Sequence, residues 1–104
     1  LGLGDNSHTA SLFPHTSVLH EKASLMKGLY IEEVKMDRIT FTAPLINQAH
    51  TIGFLVYGSG KAEAVKHVIE DPTNIDEYPA QLIKPVSGEL IWFLDEAAAS
   101  NLKA

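Results

Sequence analysis

The strongest chemical signal in this chain surrounds His8. Gly2 and Gly4 precede it, and glycine permits tight turns and a close approach of ligand to backbone. Residues 5–7 are Asp, Asn and Ser, each a good first residue for a helix. A helix beginning here would place its positive end near His8 and oppose protonation of the imidazole. The segment therefore predicts a neutral histidine that can act as a general base.

Two cationic positions could bind an anionic substrate. Arg38, the only arginine, begins a predicted strand, and a guanidinium group suits bidentate binding of phosphate. The segment Gly58-Ser59-Gly60-Lys61 lies between a predicted strand and a helix, where backbone N–H groups and the Lys61 charge favour an anion. The residues alone leave two alternatives open. Arg38 could pair with Glu32 or Asp37, and the glycine turn could simply connect two elements.

Alternating strand and helix patterns would position these residues. Strands are predicted at residues 1–3, 30–34, 39–41, 51–57 and 90–94. Helices are predicted at residues 7–12, between Gly60 and Asp71, and from Asp95 to about Leu102, with a loop and weak helical pieces between Pro14 and Gly28. This alternation is typical of the α/β class with a largely parallel sheet.

Composition limits the classes of partner. The 104 residues are 45% hydrophobic and 20% charged, which is a globular composition. A net charge of −5 argues against nucleic acid and anionic lipid as partners. No apolar run approaches the roughly 20 residues that span a bilayer, and no signal sequence is recognisable, so we predict a cytoplasmic protein. The absence of cysteine excludes disulfides and thiolate catalysis.

Four sequence blocks carry a family resemblance. The first resembles the G-x-G-x-D-G-H-T-A-S-L-F-P signature of the 6-phosphogluconolactonases, within a superfamily that includes glucosamine-6-phosphate deaminase, and it matches at Gly2, Gly4 and residues 8–14. Asn6 and Ser7 stand where the family usually has aspartate and glycine. Residues 37–49, 58–64 and 79–83 with 88–95 continue the resemblance in order. It covers nearly the whole chain but only the C-terminal portion of the family, whose members are roughly twice as long.

The resemblance implies an enzyme of carbohydrate metabolism. It would be a hydrolase that converts 6-phospho-D-glucono-1,5-lactone to 6-phosphogluconate in the pentose phosphate pathway. The implied catalytic base is His8, and Arg38 and Lys61 would bind the substrate phosphate. The implied reaction needs no metal and no cofactor, and the other four histidines lack the spacing of metal ligands. Further backbone or polar contacts are expected from Gly4, Asn6, Ser59 and Gly60.

The resemblance also predicts the domain organisation and leaves rival functions open. Residues 1–104 would form a single partial domain, the C-terminal half of a doubly wound sheet with flanking helices. A sheet edge exposed by truncation would favour self-association. One alternative function is a glucosamine-6-phosphate deaminase or isomerase, although residues 9–14 favour the lactonase. Another is a truncated, non-catalytic fragment that binds a sugar phosphate.

Overall fold

The computed structural model describes residues 1–103. It contains four strands: β1 (Met26–Ile31), β2 (Met36–Phe41), β3 (Thr51–Val56) and β4 (Glu89–Leu94). There are two α-helices, α1 (Ala43–Ile46) and α2 (Ala62–Ile69), and three short 3₁₀ helices at Ser17–His20, Ser59–Lys61 and Pro79–Leu82. Among the described residues, no helix has the length and apolar character needed to cross a membrane.

A parallel pair of strands forms the centre of the fold. β3 and β4 pair in parallel with Phe54 opposite Trp92, and the two rings stack with centroids 4.1 Å apart. Because side chains alternate along a strand, Ile52, Phe54 and Val56 all point into the core and are buried. Leu55 points to the opposite face, where 66% of its surface is exposed.

Leu1 continues this parallel pairing on the other side of β3. Its amino group donates to Gly53 O at 2.7 Å, and the N–H of Leu55 donates to Leu1 O at 2.9 Å. These two bonds flank Phe54, which is the hydrogen-bonding pattern of a parallel ladder. The strand end predicted over residues 1–3 is not present as a strand, although Leu1 makes these two strand-like hydrogen bonds to β3.

β1 and β2 form an antiparallel hairpin joined by residues 32–35. The sequence predicts two strands here, but over residues 30–34 and 39–41. The first strand ends earlier, at Ile31, and the second begins earlier, at Met36. Apolar Ile39 and Phe41 face outward, whereas Thr40 on the opposite face is buried. The hairpin therefore adds an antiparallel sheet to the parallel pair.

Two predicted helices are wrong. Residues 7–12 form turns with a single bridge between Thr9 and Leu12, because Ser7 and Ala10 take left-handed backbone conformations that a helix cannot include. Residues 96–101 also form turns, although Asp95 still accepts a capping hydrogen bond from the N–H of Ala98 at 2.8 Å. The helix predicted after Gly60 is confirmed as α2, which a 3₁₀ turn precedes.

Candidate active site

His8 closes a tight backbone loop. The N–H of Gly4 donates to His8 O at 2.8 Å, and the N–H of Ser7 donates to Gly4 O at 2.9 Å. Ser7 takes a φ of 67°, the left-handed region that favours glycine, and its carbonyl accepts a bond from the N–H of Ala80. The loop is thus tied to the rest of the fold beside the histidine.

The imidazole of His8 is held between Gly4 and Phe13. Its ring stacks on Phe13 with centroids 4.1 Å apart and planes inclined by 15°. A Cβ at Gly4 would collide with Nδ1 and Cε1 of the ring, so any other residue at this position would displace the imidazole. This packing orients the ring and removes part of it from water.

A polar network continues from His8 to the hairpin turn. Nδ1 of His8 lies 2.6 Å from Oδ1 of Asn6, and the same oxygen accepts a bond from the backbone N–H of His8 at 3.1 Å. Nδ2 of Asn6 donates to a carboxylate oxygen of Glu33 at 2.7 Å. Asn6 therefore contacts the imidazole directly, whereas Glu33 is connected to the imidazole only through Asn6.

Burial holds the pKa of His8 below its ordinary value of 6.5. The nearby Glu33 carboxylate opposes this effect, whereas the positive charges of Lys61 and Arg38 add to it. The predicted neutral imidazole is thus supported, but not by the helix dipole that the sequence suggested. The pKa is lowered chiefly because the ring is packed away from water.

Lys61 shares a cleft of about 360 Å³ with His8. The backbone of Gly2 and Gly4 forms another part of its wall. The Lys61 ammonium forms an ion pair with the exposed Asp5 carboxylate at 3.0 Å. An anionic ligand of Lys61 would therefore compete with Asp5. The structure brings the predicted base and one predicted phosphate ligand into a single site.

Arg38 lies nearby but outside the walls of this cleft. It is the third residue of β2, on the same face as the buried Thr40, and it lines a separate groove along the hairpin. Its Nε donates to the sulfur of Met36 at 3.4 Å. Within residues 1–103 it makes no ion pair with Glu32 or Asp37, the two alternative partners. Its charge nonetheless acts on the His8 imidazole.

The predicted backbone contacts divide into two groups. The N–H of Gly4 is already bonded within the loop around His8. Ser59 and Gly60 belong to the 3₁₀ turn before α2 and do not line the His8 cleft. The N–H of Gly58, at the start of that turn, donates to the Asp95 carboxylate.

In the described part of the chain, no group of three or more His, Cys, Asp or Glu residues is arranged to hold a metal.

Glu33 is the member of this cluster that sequence reasoning missed. The predicted strand over residues 30–34 would have made it an ordinary strand residue, whereas it lies in the turn that follows β1. Two adjacent glutamates just before Val34-Lys35 could have suggested a turn. They could not have revealed its contact with Asn6, which is 27 residues away in sequence.

Comparisons with known proteins give a consistent result. A family model described as glucosamine-6-phosphate isomerases/6-phosphogluconolactonase matches residues 1–92. The chain is 45% identical over 103 residues to a 6-phosphogluconolactonase of Synechocystis, a match that covers 99% of this chain and 42% of that protein. It is 40% identical over 103 residues to the human 6-phosphogluconolactonase, covering 98% of this chain and 40% of that protein.

A solved structure extends the likeness to the fold. The 6-phosphogluconolactonase of Trypanosoma brucei superposes with a TM-score of 0.84 at 28% identity, covering 98% of this chain and 40% of that one. The predicted family and the α/β class with a parallel sheet are confirmed. The chain spans well under half the length of these relatives. The sequence predicts that this chain corresponds to the C-terminal portion of the longer family members, and this stays a prediction.

Proposed function

The chain belongs to the family of glucosamine-6-phosphate isomerases and 6-phosphogluconolactonases, and from this membership we propose that its protein hydrolyses 6-phospho-D-glucono-1,5-lactone to 6-phosphogluconate. This reaction belongs to the pentose phosphate pathway. The observation that carries the proposal is that His8, whose pKa is lowered by burial, lies beside Lys61 in one cleft. The 6-phosphogluconolactonases that the chain resembles at 40% identity and more support the choice of substrate.

His8 is the proposed general base. Among residues 1–103, Nε2 of His8 has no hydrogen-bonding partner, so it is available to a water molecule in the cleft. It takes a proton from water as the oxygen attacks the lactone carbonyl. The tetrahedral intermediate then collapses, the bond between the carbonyl carbon and the ring oxygen breaks, and the imidazolium returns the proton to that oxygen. Such proton transfer contributes about 10²- to 10⁴-fold in rate.

Lys61 and Arg38 are the proposed cations for the substrate phosphate. The Lys61 ammonium already holds a carboxylate of this chain at 3.0 Å, and a phosphate dianion would compete with Asp5 for it. Arg38 adds a second positive charge close enough to influence His8. Anchoring one end of the substrate in this way would fix the carbonyl near the base. Gly4, Asn6, Ser59 and Gly60 stay predicted contacts.

The catalytic proposal is tested by hydrolysis of the lactone above its spontaneous rate, with this chain and with the full-length gene product. We expect His8→Gln to lower kcat by at least about 100-fold because the base is lost. Retention of full-length activity in His8→Gln would reject the base. No acceleration by the full-length product would reject the function. Ammonia release from glucosamine 6-phosphate would instead favour the deaminase, and phosphate-dependent binding without turnover the non-catalytic alternative.

The phosphate site is tested with opposite charge changes. We expect Lys61→Ala and Arg38→Ala each to raise KM, because each removes a cation. Asp5→Asn should lower KM, by no more than about fivefold, since an exposed ion pair is worth about 0–1 kcal/mol. Asp37→Asn, on the outer face of the hairpin, is the control. A KM in Lys61→Ala equal to that of wild type would contradict a role for Lys61 in binding phosphate.

Two sequence predictions accompany this function. The residues are expected to form one partial domain of the C-terminal half of the family fold, and the protein is expected to act in the cytoplasm. Neither is needed for the chemistry at His8. A small sugar phosphate is the proposed ligand, bound locally by cations in a chain whose net charge is −5.

A further inference from the structure

The side-chain amide of Asn6 has a single permitted orientation. On one side it faces the backbone N–H of His8, which can only donate, so Oδ1 must lie there. On the other side it faces the Glu33 carboxylate, which when ionised can only accept, so Nδ2 must lie there. The two contacts agree, and exchanging the oxygen and nitrogen of the amide would break both.

This orientation determines which nitrogen of His8 carries the proton. Nδ1 lies 2.6 Å from Oδ1 of Asn6, an oxygen that accepts and cannot donate. Nδ1 must therefore be the protonated nitrogen of the neutral ring. Nε2 then keeps its lone pair, and it is this nitrogen that has no protein partner among residues 1–103.

We propose that Glu33 is a positioning residue, which holds the Asn6 amide so that the neutral His8 presents Nε2 as a base. The proposal deepens the function proposed above and rests on it for the use of that base. Nothing in the family likeness assigns a role to Glu33. The hydrogen bonds that carry the proposal run from the Glu33 carboxylate through Asn6 to the imidazole at 2.7 and 2.6 Å.

The hairpin explains how a distant residue can do this. Glu33 lies in the turn between β1 and β2, which places its carboxylate beside the loop that contains Asn6. An asparagine in contact with the histidine orients the ring but carries no charge. Glu33 supplies a negative charge one residue further away, which stabilises the imidazolium that forms during catalysis. The other charged groups that act on His8 are Lys61, Arg38 and Asp5.

The first test follows the His8 ring by NMR, in this chain labelled with ¹⁵N. The ¹⁵N shifts of wild type should show the neutral ring protonated at Nδ1. Glu33→Ala should shift the ring toward a mixture of tautomers, because the Asn6 amide then keeps only one of its two orienting contacts, the bond from the backbone N–H of His8. Glu33→Gln keeps an acceptor but loses the charge, so it should retain the tautomer and lower the pKa of His8. Glu32→Gln, in the same turn, should change neither.

The second test exchanges the donor and the acceptor in the hydrogen bond between residues 6 and 33. In Asn6→Asp, two carboxylates would face each other. In Asn6→Asp combined with Glu33→Gln, the introduced glutamine amide donates to the introduced carboxylate, and the net charge equals that of wild type. We therefore expect Glu33→Gln to lower the activity of the full-length product by about tenfold when residue 6 is asparagine, because a neutral acceptor replaces a charged one in the bond to Asn6. It should raise activity when residue 6 is aspartate. This reversal of sign is the signature of direct coupling.

The outcomes separate this inference from the proposed function. An unchanged tautomer and pKa in Glu33→Ala, or the same effect of Glu33→Gln in both backgrounds, would overturn the role of Glu33 even if the protein hydrolyses the lactone. A tautomer that depends on Glu33 would sustain the positioning role even if the lactone is not hydrolysed, because the NMR measurement requires no substrate.

Discussion

At the scale of the residue, the pKa of His8 is lowered, as the sequence suggested, but by a different physical cause. A helix start was expected to disfavour the imidazolium, but residues 7–12 form turns. Packing between Gly4 and Phe13 desolvates the ring instead, and the pKa of His8 falls for that reason. The same packing orients the ring toward the cleft, so burial and orientation come from one set of contacts.

The lowered pKa of His8 predicts how stability depends on pH. Between the folded pKa and the ordinary value of 6.5, the unfolded chain binds more protons than the folded one, so stability must rise with pH across that interval. We expect the free energy of unfolding of wild type, minus that of His8→Gln, to fall on acidification from pH 7.5 toward pH 5. Urea titrations followed by the fluorescence of Trp92, the only tryptophan, measure this difference.

Because wild type and His8→Gln share the four other histidines, the contribution of those histidines to the pH dependence cancels in the difference. Activity should follow the same group, since kcat/KM of the full-length product would decline as His8 becomes protonated below pH 6.5. A wild type that gains stability relative to His8→Gln on acidification would mean that the pKa is raised instead.

At the scale of the element, the loop around His8 is built from backbone conformations that its residues do not favour. Ser7 has a φ of 67° and Ala10 a φ of 51°, and neither is glycine. Left-handed conformations cost an ordinary residue about 1–2 kcal/mol. Hydrogen bonds from this loop to Ala80 and Thr40 offset part of that cost. The backbone conformation that positions His8 therefore lowers the stability of the loop itself.

Ala10→Gly should stabilise the fold. Ala10 is exposed, so the substitution removes little packing and relieves the left-handed strain. After the entropy of a more flexible unfolded chain is counted, we expect a gain of up to about 1 kcal/mol in the free energy of unfolding. Ala23→Gly is the control, because Ala23 is exposed but has an ordinary φ, and it should lose about 0.5–1 kcal/mol. Equal losses in both variants would contradict strain at Ala10.

At the scale of the whole molecule, the parallel pair is covered on one side only. Ile52, Phe54 and Val56 pack into the core, whereas on the opposite face Leu55 and Phe93 are 66% and 56% exposed. These two side chains are neighbours across the strands. Uncovered apolar surface on a sheet favours association with another copy. The sequence predicts self-association through an exposed sheet edge, and this stays a prediction. The uncovered face adds an apolar surface that the sequence did not predict, and we expect it to contribute to the contact.

Leu55→Lys should reduce self-association of this chain, since it places a charge in the centre of that apolar face. Analytical ultracentrifugation over a range of concentrations measures the change. Ile39→Lys is the matched control, because Ile39 is 74% exposed but lies on the outer face of the hairpin. If only Ile39→Lys dissociates the assembly, the hairpin and not the parallel pair forms the contact. A wild-type chain that is monomeric at every concentration would refute the prediction itself.

Local sequence patterns were sufficient for much of this protein. The apolar run at residues 51–57 predicted the buried strand β3, and the glycine turn followed by an apolar stripe predicted α2. Family-like motifs singled out His8 and Lys61, which share a cleft in the structure. These features were predictable because strand alternation, helix periodicity and short motifs depend on neighbours along the chain.

Tertiary structure alone decided the contacts between distant segments. The hairpin turn carries Glu33 to Asn6, packing on Gly4 and Phe13 lowers the pKa of His8, and one face of β3 is left exposed. Left-handed residues also replaced the helix expected over residues 7–12, and the loop they form makes hydrogen bonds to remote residues that no local pattern reveals. Sequence by itself determined the family and the two site residues that short motifs mark. How the histidine is oriented and charged depends on groups that only folding brings together.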